Sequence, residues 1–129
     1  MLQTIVLTVD YHDQNCVIRR FHAKTAQEQV LTVSTLASEL SRVVAQARAE
    51  VGRRGRVIWI QESTTGWARV QALLGDHVEF LLANVVQMPL PPKARRRKTD
   101  KIDTARIQRE YLNGCSDTER RGETWLTKC

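Results

Sequence analysis

The sequence predicts an α/β domain built on a mixed sheet with flanking helices. Three observations lead to this class. β-Branched, mostly apolar runs recur near the start of the chain, later apolar residues recur at spacings of three and four, and residues 56–62 form a nearly continuous apolar run. At 129 residues and 42% hydrophobic content, the chain has the size of one globular domain with a sizeable core.

The first half of the chain predicts three strands and a helix. Residues 4–10 and 16–22 read as two strands joined by the polar turn 11–15, and residues 29–33 as a third short strand. An amphipathic helix then follows, with Ser34 or Thr35 as its N-cap and an end near Gly52. Its apolar positions are Leu36, Leu40, Val43, Val44 and Ala47.

The second half alternates strands and helices. Residues 56–62 predict a central strand covered on both faces, residues 67–74 a short helix stopped by Gly75, and residues 77–82 another strand. All three prolines fall within residues 88–92, which excludes regular structure there, and residues 93–98 continue as an exposed basic loop. A final helix is predicted from a Thr99 cap to just before Gly114.

The charge distribution points to a polyanionic partner. Lys and Arg number 20 against 14 Asp and Glu, a formal charge of +6, which favours nucleic acid. Basic residues crowd one stretch, where contacts to a phosphate backbone would position DNA without reading its sequence. The predicted nucleic-acid-binding residues are Lys93, Arg95, Arg96, Arg97, Lys98 and Lys101. The alternative is a solvated basic loop with no such contact.

Other features narrow the class further. No apolar run approaches the ~20 residues of a membrane helix, and the first residues lack a signal-peptide pattern, so we expect a soluble, cytoplasmic protein without a membrane partner. The three cysteines have no C-x-x-C spacing, which indicates neither a zinc site nor a disulfide framework.

Four carboxylates fall at the ends of predicted elements. Asp10 ends the first strand, Glu62 ends the central strand, and Asp100 and Asp103, three residues apart, share a helix face. We expect the two strands to be parallel neighbours and the helix to lie across the same sheet edge, so that the four carboxylates converge in one site. Hard oxygen ligands of this kind suit Mg²⁺ or Mn²⁺, and two such ions support phosphodiester displacement. The alternative is that these carboxylates serve only as turn and cap residues. His12, two residues beyond Asp10, is interpreted as a solvated turn histidine and left out of the site.

Three segments carry a resemblance to a known family. Residues 99–105, TDKIDTA, resemble the T-D-x-x-D-A motif of the DEDD transposases, the bacterial insertion-sequence enzymes of the IS one-ten group. Residues 61–67, QESTTGW, resemble that family's glutamate block, and Thr8-Val9-Asp10 its first strand. The resemblance covers about residues 1–114. It implies a ribonuclease-H-like, RuvC-like fold whose Asp10, Glu62, Asp100 and Asp103 are catalytic metal ligands.

The resemblance also implies a function, which is metal-dependent phosphoryl transfer in the DNA transposition and recombination of a transposable element. A guide RNA assists some members, and homo-oligomers are expected of full-length ones. Family members continue into a second domain that supplies a serine nucleophile, whereas residues 115–129 form a polar tail unlike the family. The sequence therefore predicts a domain at 1–114 that is incomplete for transposition on its own. The alternatives are a non-catalytic basic nucleic-acid-binding module and an inert transposase remnant.

Overall fold

The computed structural model describes residues 3–63, 66–84, 104–115 and 125–128. These residues form an α/β fold with a six-stranded mixed sheet and three helices. The strands are β1 (Thr4–Tyr11), β2 (Asn15–His22), β3 (Gln27–Ser34), β4 (Arg56–Glu62), β5 (Glu79–Ala83) and β6 (Leu126–Lys128). The helices are α1 (Ala37–Val51), α2 (Trp67–Leu74) and α3 (Thr104–Cys115).

The sheet has the strand order β3-β2-β1-β4-β5-β6. The first three strands form an antiparallel meander, β4 pairs parallel to β1, and β5 pairs parallel to β4. β6 is the last strand of the sheet and pairs antiparallel with β5. Parallel neighbours need a crossover connection, and the segments that hold α1 and α2 supply the connections to β4 and β5.

Helices cover both faces of the sheet, which explains the apolar runs of the central strands. On one face α1 and α2 pack on a core that contains Ile5, Leu7 and Trp59. On the other face α3 packs on β1 and β2, and its cluster contains Val6, Ile58, Ile60, Ile107 and Tyr111. Alternate residues of β1 and β4 therefore belong to opposite layers.

The predicted elements are present, with different ends. β3 is longer than predicted, β5 begins two residues later, and α1 has Leu36 as its N-cap with no side-chain cap. The prediction of Ser34 or Thr35 as the cap is wrong because both hydroxyls are used in the preceding turn. Ser34 Oγ accepts from the Leu36 amide, and Thr35 Oγ1 donates to the Asp13 carbonyl.

The third helix differs from its prediction in the part that the structure describes. α3 is described from Thr104 and continues to Cys115, one residue beyond Gly114. The predicted cap Thr99 lies outside the described residues. No helix within the described ranges is long and apolar enough to cross a membrane.

Candidate functional site

Asp10 and Glu62 lie on neighbouring parallel strands at the same edge of the sheet. β1 and β4 are in register up to the pair Val9 and Gln61, and the two carboxylate residues follow directly. Glu62 is two residues from Ile60 on β4, and Asp10 is four residues from Val6 on β1. Ile60 and Val6 belong to the α3-side cluster, so both carboxylates are on that face. The predicted adjacency of the two strands is confirmed.

The two carboxylates interact electrostatically. The pKa of Glu62 is raised, first because burial penalises its charged form and second because the Asp10 carboxylate repels it. The charge of Asp10 also reaches Cys16, whose pKa rises to about 11, mainly through burial and then through this repulsion. A concentration of negative charge therefore lies at this edge of an otherwise basic protein.

Among the described residues, no Lys or Arg forms a salt bridge with Asp10 or Glu62. Four other glutamates of the described structure each form a salt bridge with an arginine. These pairs are Arg19–Glu28, Arg20–Glu50, Arg42–Glu39 and Arg56–Glu79. The arginines of these four pairs thus neutralise glutamates other than Glu62.

His12 is the one described side chain within salt-bridge distance of Asp10. Its Nε2 lies 3.1 Å from Asp10 Oδ2, and the imidazole is 57% exposed. The exposure agrees with a turn histidine, but the contact with a predicted site carboxylate was not expected. A spacing of two residues across a turn was the available signal, and it is too common to identify the contact from sequence.

The first residue of α3 is fixed near the same edge. Arg19 of β2 lies opposite Thr8, two residues before Asp10. Its Nε donates a hydrogen bond to Thr104 Oγ1 over 3.3 Å, while its guanidinium pairs with Glu28. The start of α3 is therefore joined to β2 at a residue that pairs two positions before Asp10.

Gly66 sets the loop that follows Glu62. It is the N-cap of α2 with φ +97°, in the left-handed region that disfavours side chains. A Cβ at this position would lie 3.0 Å from Cε1 of Tyr11, the residue after Asp10. The glycine therefore allows the loop to pack on the Tyr11 ring, which brings the segments after both carboxylates together.

Trp125 is a residue of this region that the sequence analysis missed. It is 2% exposed and belongs to the α3-side cluster, and its carbonyl accepts from the Asn84 amide beside the end of β5. β6 follows it and pairs Leu126 with Ala83, the residue that lies opposite Glu62. The one signal was an apolar Trp-Leu pair inside a polar tail.

The remaining predicted site residues lie outside the described residues. They are Asp100, Asp103, Lys93, Arg95, Arg96, Arg97, Lys98 and Lys101. Within the described ranges, no group of three or more His, Cys, Asp or Glu residues could hold a metal ion. The structure thus brings together two of the four predicted metal ligands.

Comparison of the chain with protein-family models, with curated proteins and with solved structures finds no match.

Proposed function

We propose that this chain is the N-terminal, ribonuclease-H-like domain of a DNA transposase, with a divalent-metal site for phosphoryl transfer. The observation that carries the proposal is the pair Asp10 and Glu62. They occupy adjacent parallel strand ends on one face, the Asp10 carboxylate adds to the raised pKa of Glu62, and neither has a Lys or Arg salt-bridge partner in the described fold. This arrangement favours a cation that the described protein does not itself provide.

The chemistry of the pair suits Mg²⁺ or Mn²⁺. Mg²⁺ prefers oxygen ligands, keeps several waters, and is held in many phosphoryl-transfer sites by one or two carboxylates together with substrate phosphates. Asp10 is 44% exposed on its side chain, so water and a phosphate oxygen can approach it. Bound there, the metal ion would neutralise developing charge on the phosphate and lower the pKa of an attacking water.

Further ligands are proposed from the sequence that leads into α3. Asp103 is joined to Thr104 by one peptide bond, a Cα separation of about 3.8 Å, and Asp100 precedes it by three residues. Thr104 accepts a hydrogen bond from Arg19, which pairs with Thr8, two residues before Asp10. Their contribution to the site therefore requires only that the chain continue from Thr104 toward the open sheet edge.

The fold supports the family assignment within this proposal. The observed element order, with an antiparallel meander extended by two parallel strands and helices on both faces, agrees with the ribonuclease-H-like arrangement that the resemblance implies. The resemblance further implies DNA as the substrate and a serine nucleophile from a second domain for strand exchange. For the described carboxylates alone, the proposed activity is metal-dependent hydrolysis of DNA.

The direct test is a titration of the chain with Mg²⁺ and Mn²⁺, followed by calorimetry and thermal unfolding. We expect saturable binding that Asp10→Asn abolishes. Asp13→Asn is the matched control, because Asp13 is exposed in the adjacent turn and only its carbonyl is used. Equal binding by wild type and Asp10→Asn would overturn the metal site and would favour the non-catalytic basic module.

Binding of DNA is tested separately through its salt dependence. If the loop 93–98 contacts phosphates, log affinity falls linearly with log salt at about 0.9 per contact. Replacing Arg96 and Arg97 with Ala should reduce that slope by roughly two units. An unchanged slope would assign this loop to solvent, whatever the result of the metal titration.

A further inference from the structure

The outer edge of β3 has no paired strand among the described residues. β3 has eight residues, stands at one end of the strand order, and pairs with β2 at every position without a bulge. Natural sheets protect such edges with prolines, lysines, bulges or very short strands. The sequence of β3, QEQVLTVS, contains no proline or lysine, so its unpaired side can accept another strand.

β3 also exposes an apolar side chain. Val30 is 51% exposed and is one of two large hydrophobic residues that the described surface exposes to this degree. It lies opposite Arg19 in the β2 pairing, which places it on the α3 side of the sheet. Since α3 packs on β1 and β2, Val30 stays uncovered beyond the helix.

The other face of β3 borders a groove. A groove of about 700 Å³ runs between β3 and the second half of α1, lined by Arg20, Gln29, Leu31, Gln46, Ala49 and Glu50. Among the described residues α1 contacts β3, and the groove beside this contact leaves space for the side chains of an added strand.

We infer that β3 pairs with the β3 of a second copy of this chain, antiparallel about a two-fold axis at Val30. A two-fold axis perpendicular to the sheet keeps each face on its own side, so the register must oppose residues of the same face. Centring the axis on Val30 opposes this residue to its own copy. The exposed valine then contacts an identical apolar side chain, which is the favourable kind of cross-strand pair.

The charge pattern of β3 fits a copy of itself. Its one charged residue is Glu28, which already pairs with Arg19 of the same chain. In the proposed register Glu28 lies opposite Thr32 of the second copy, and Gln29 lies opposite Leu31. No like charges oppose each other, and the result is one continuous sheet through both protomers, formed by β-strand addition.

This inference is independent of the metal site, because β3 lies two strands away from β1. It is tested by sedimentation equilibrium of the chain over a wide concentration range. We expect a weak monomer–dimer equilibrium that Val30→Lys shifts to monomer, since two lysines would oppose each other at the axis, with a dissociation constant raised at least about tenfold. A chain that stays monomeric at the highest concentration would overturn the inference.

Two further variants test the register. Val30→Lys and Val30→Glu should each be monomeric, whereas an equimolar mixture should form a heterodimer because opposite charges then meet at the axis. Thr32→Lys is the matched control, as it is exposed on the same face but would oppose Glu28 of the second copy, so the dimer should persist. At a concentration where the wild type is monomeric, all variants should keep its thermal midpoint, because they change exposed side chains. Dimers that survive Val30→Lys, or a mixture that stays monomeric, would refute the pairing at Val30.

Discussion

Replacing Glu62 with Gln should stabilise the metal-free protein. The carboxylates of Asp10 and Glu62 project from neighbouring strands about 4.8 Å apart, so we take a charge separation of about 5.5 Å. Asp10 is 44% exposed, which calls for an effective dielectric constant of about 60, and the Coulomb repulsion is then about 1 kcal/mol. Glu62→Gln should gain this amount in free energy of unfolding, or about 4 °C in thermal midpoint, at pH 7 in EDTA.

The pH dependence follows from the raised pKa of Glu62. The folded state binds this proton more tightly than the unfolded state, so ionisation of Glu62 destabilises the fold. The deficit of the wild type relative to Glu62→Gln is therefore full above the raised folded pKa. It shrinks as the pH falls through that pKa and vanishes below the unfolded value of about 4.3. Urea unfolding between pH 3.5 and 8 measures it.

Divalent metal should reverse the order of stability. At a metal concentration ten times the dissociation constant, the wild type gains about 1.4 kcal/mol, which exceeds the repulsion, while Glu62→Gln gains little. If Glu62→Gln instead unfolds more easily than wild type in EDTA at pH 7, Glu62 is a structural hydrogen-bond acceptor and the reasoning is refuted. Equal stabilisation of both proteins by Mn²⁺ would refute it as well.

Glu79→Gln is the matched control for this experiment. The pKa of Glu79 is lowered, first by its hydrogen bonds from Arg56, at 2.7 Å each. Its ionised form therefore contributes stability above the unfolded pKa of about 4.3, and this contribution is lost as the pH falls through the lower folded pKa. Because the ion pair is half-exposed, Glu79→Gln should lose only about 0.5 kcal/mol at pH 7. This loss should be the same with and without metal.

Three other changes test the packing around the site by urea unfolding. Thr8→Val should stabilise the fold by roughly 1 kcal/mol, because the Thr8 hydroxyl is buried without a hydrogen-bond partner in the described structure; a loss would reveal a bonded hydroxyl. Gly66→Ala should cost more than Gly52→Ala, since both glycines have positive φ but only Gly66 would bring a Cβ to 3.0 Å from Tyr11; equal losses would contradict that contact. Trp125→Ala should lower the free energy of unfolding by about 3–5 kcal/mol, and a negligible loss would contradict the packing of Trp125 in the core.

The sequence was sufficient to predict the order of the first five strands and the three helices, and the adjacency of the two carboxylates. Strand and helix periodicities differ, and a nearly continuous apolar run occurs where a strand is covered on both faces. This identified β4 as central and put Glu62 at its end. Asp10 could be placed beside it because carboxyl ends of parallel neighbours share one edge. The ends of elements were less predictable, as at Ser34 and Thr35, where turn hydrogen bonds took the place of a helix cap.

Long-range pairing decided the rest. Trp125 and β6 belong to the sheet because they lie against β5, some forty residues earlier in the chain, and no local pattern encodes such a partner. The same holds for the hydrogen bond from Arg19 to Thr104, which joins residues 85 positions apart in the chain. Local propensity depends on neighbours along the chain, whereas burial, ion pairing and the pKa of Glu62 depend on neighbours in space. Those neighbours exist only after the sheet has assembled.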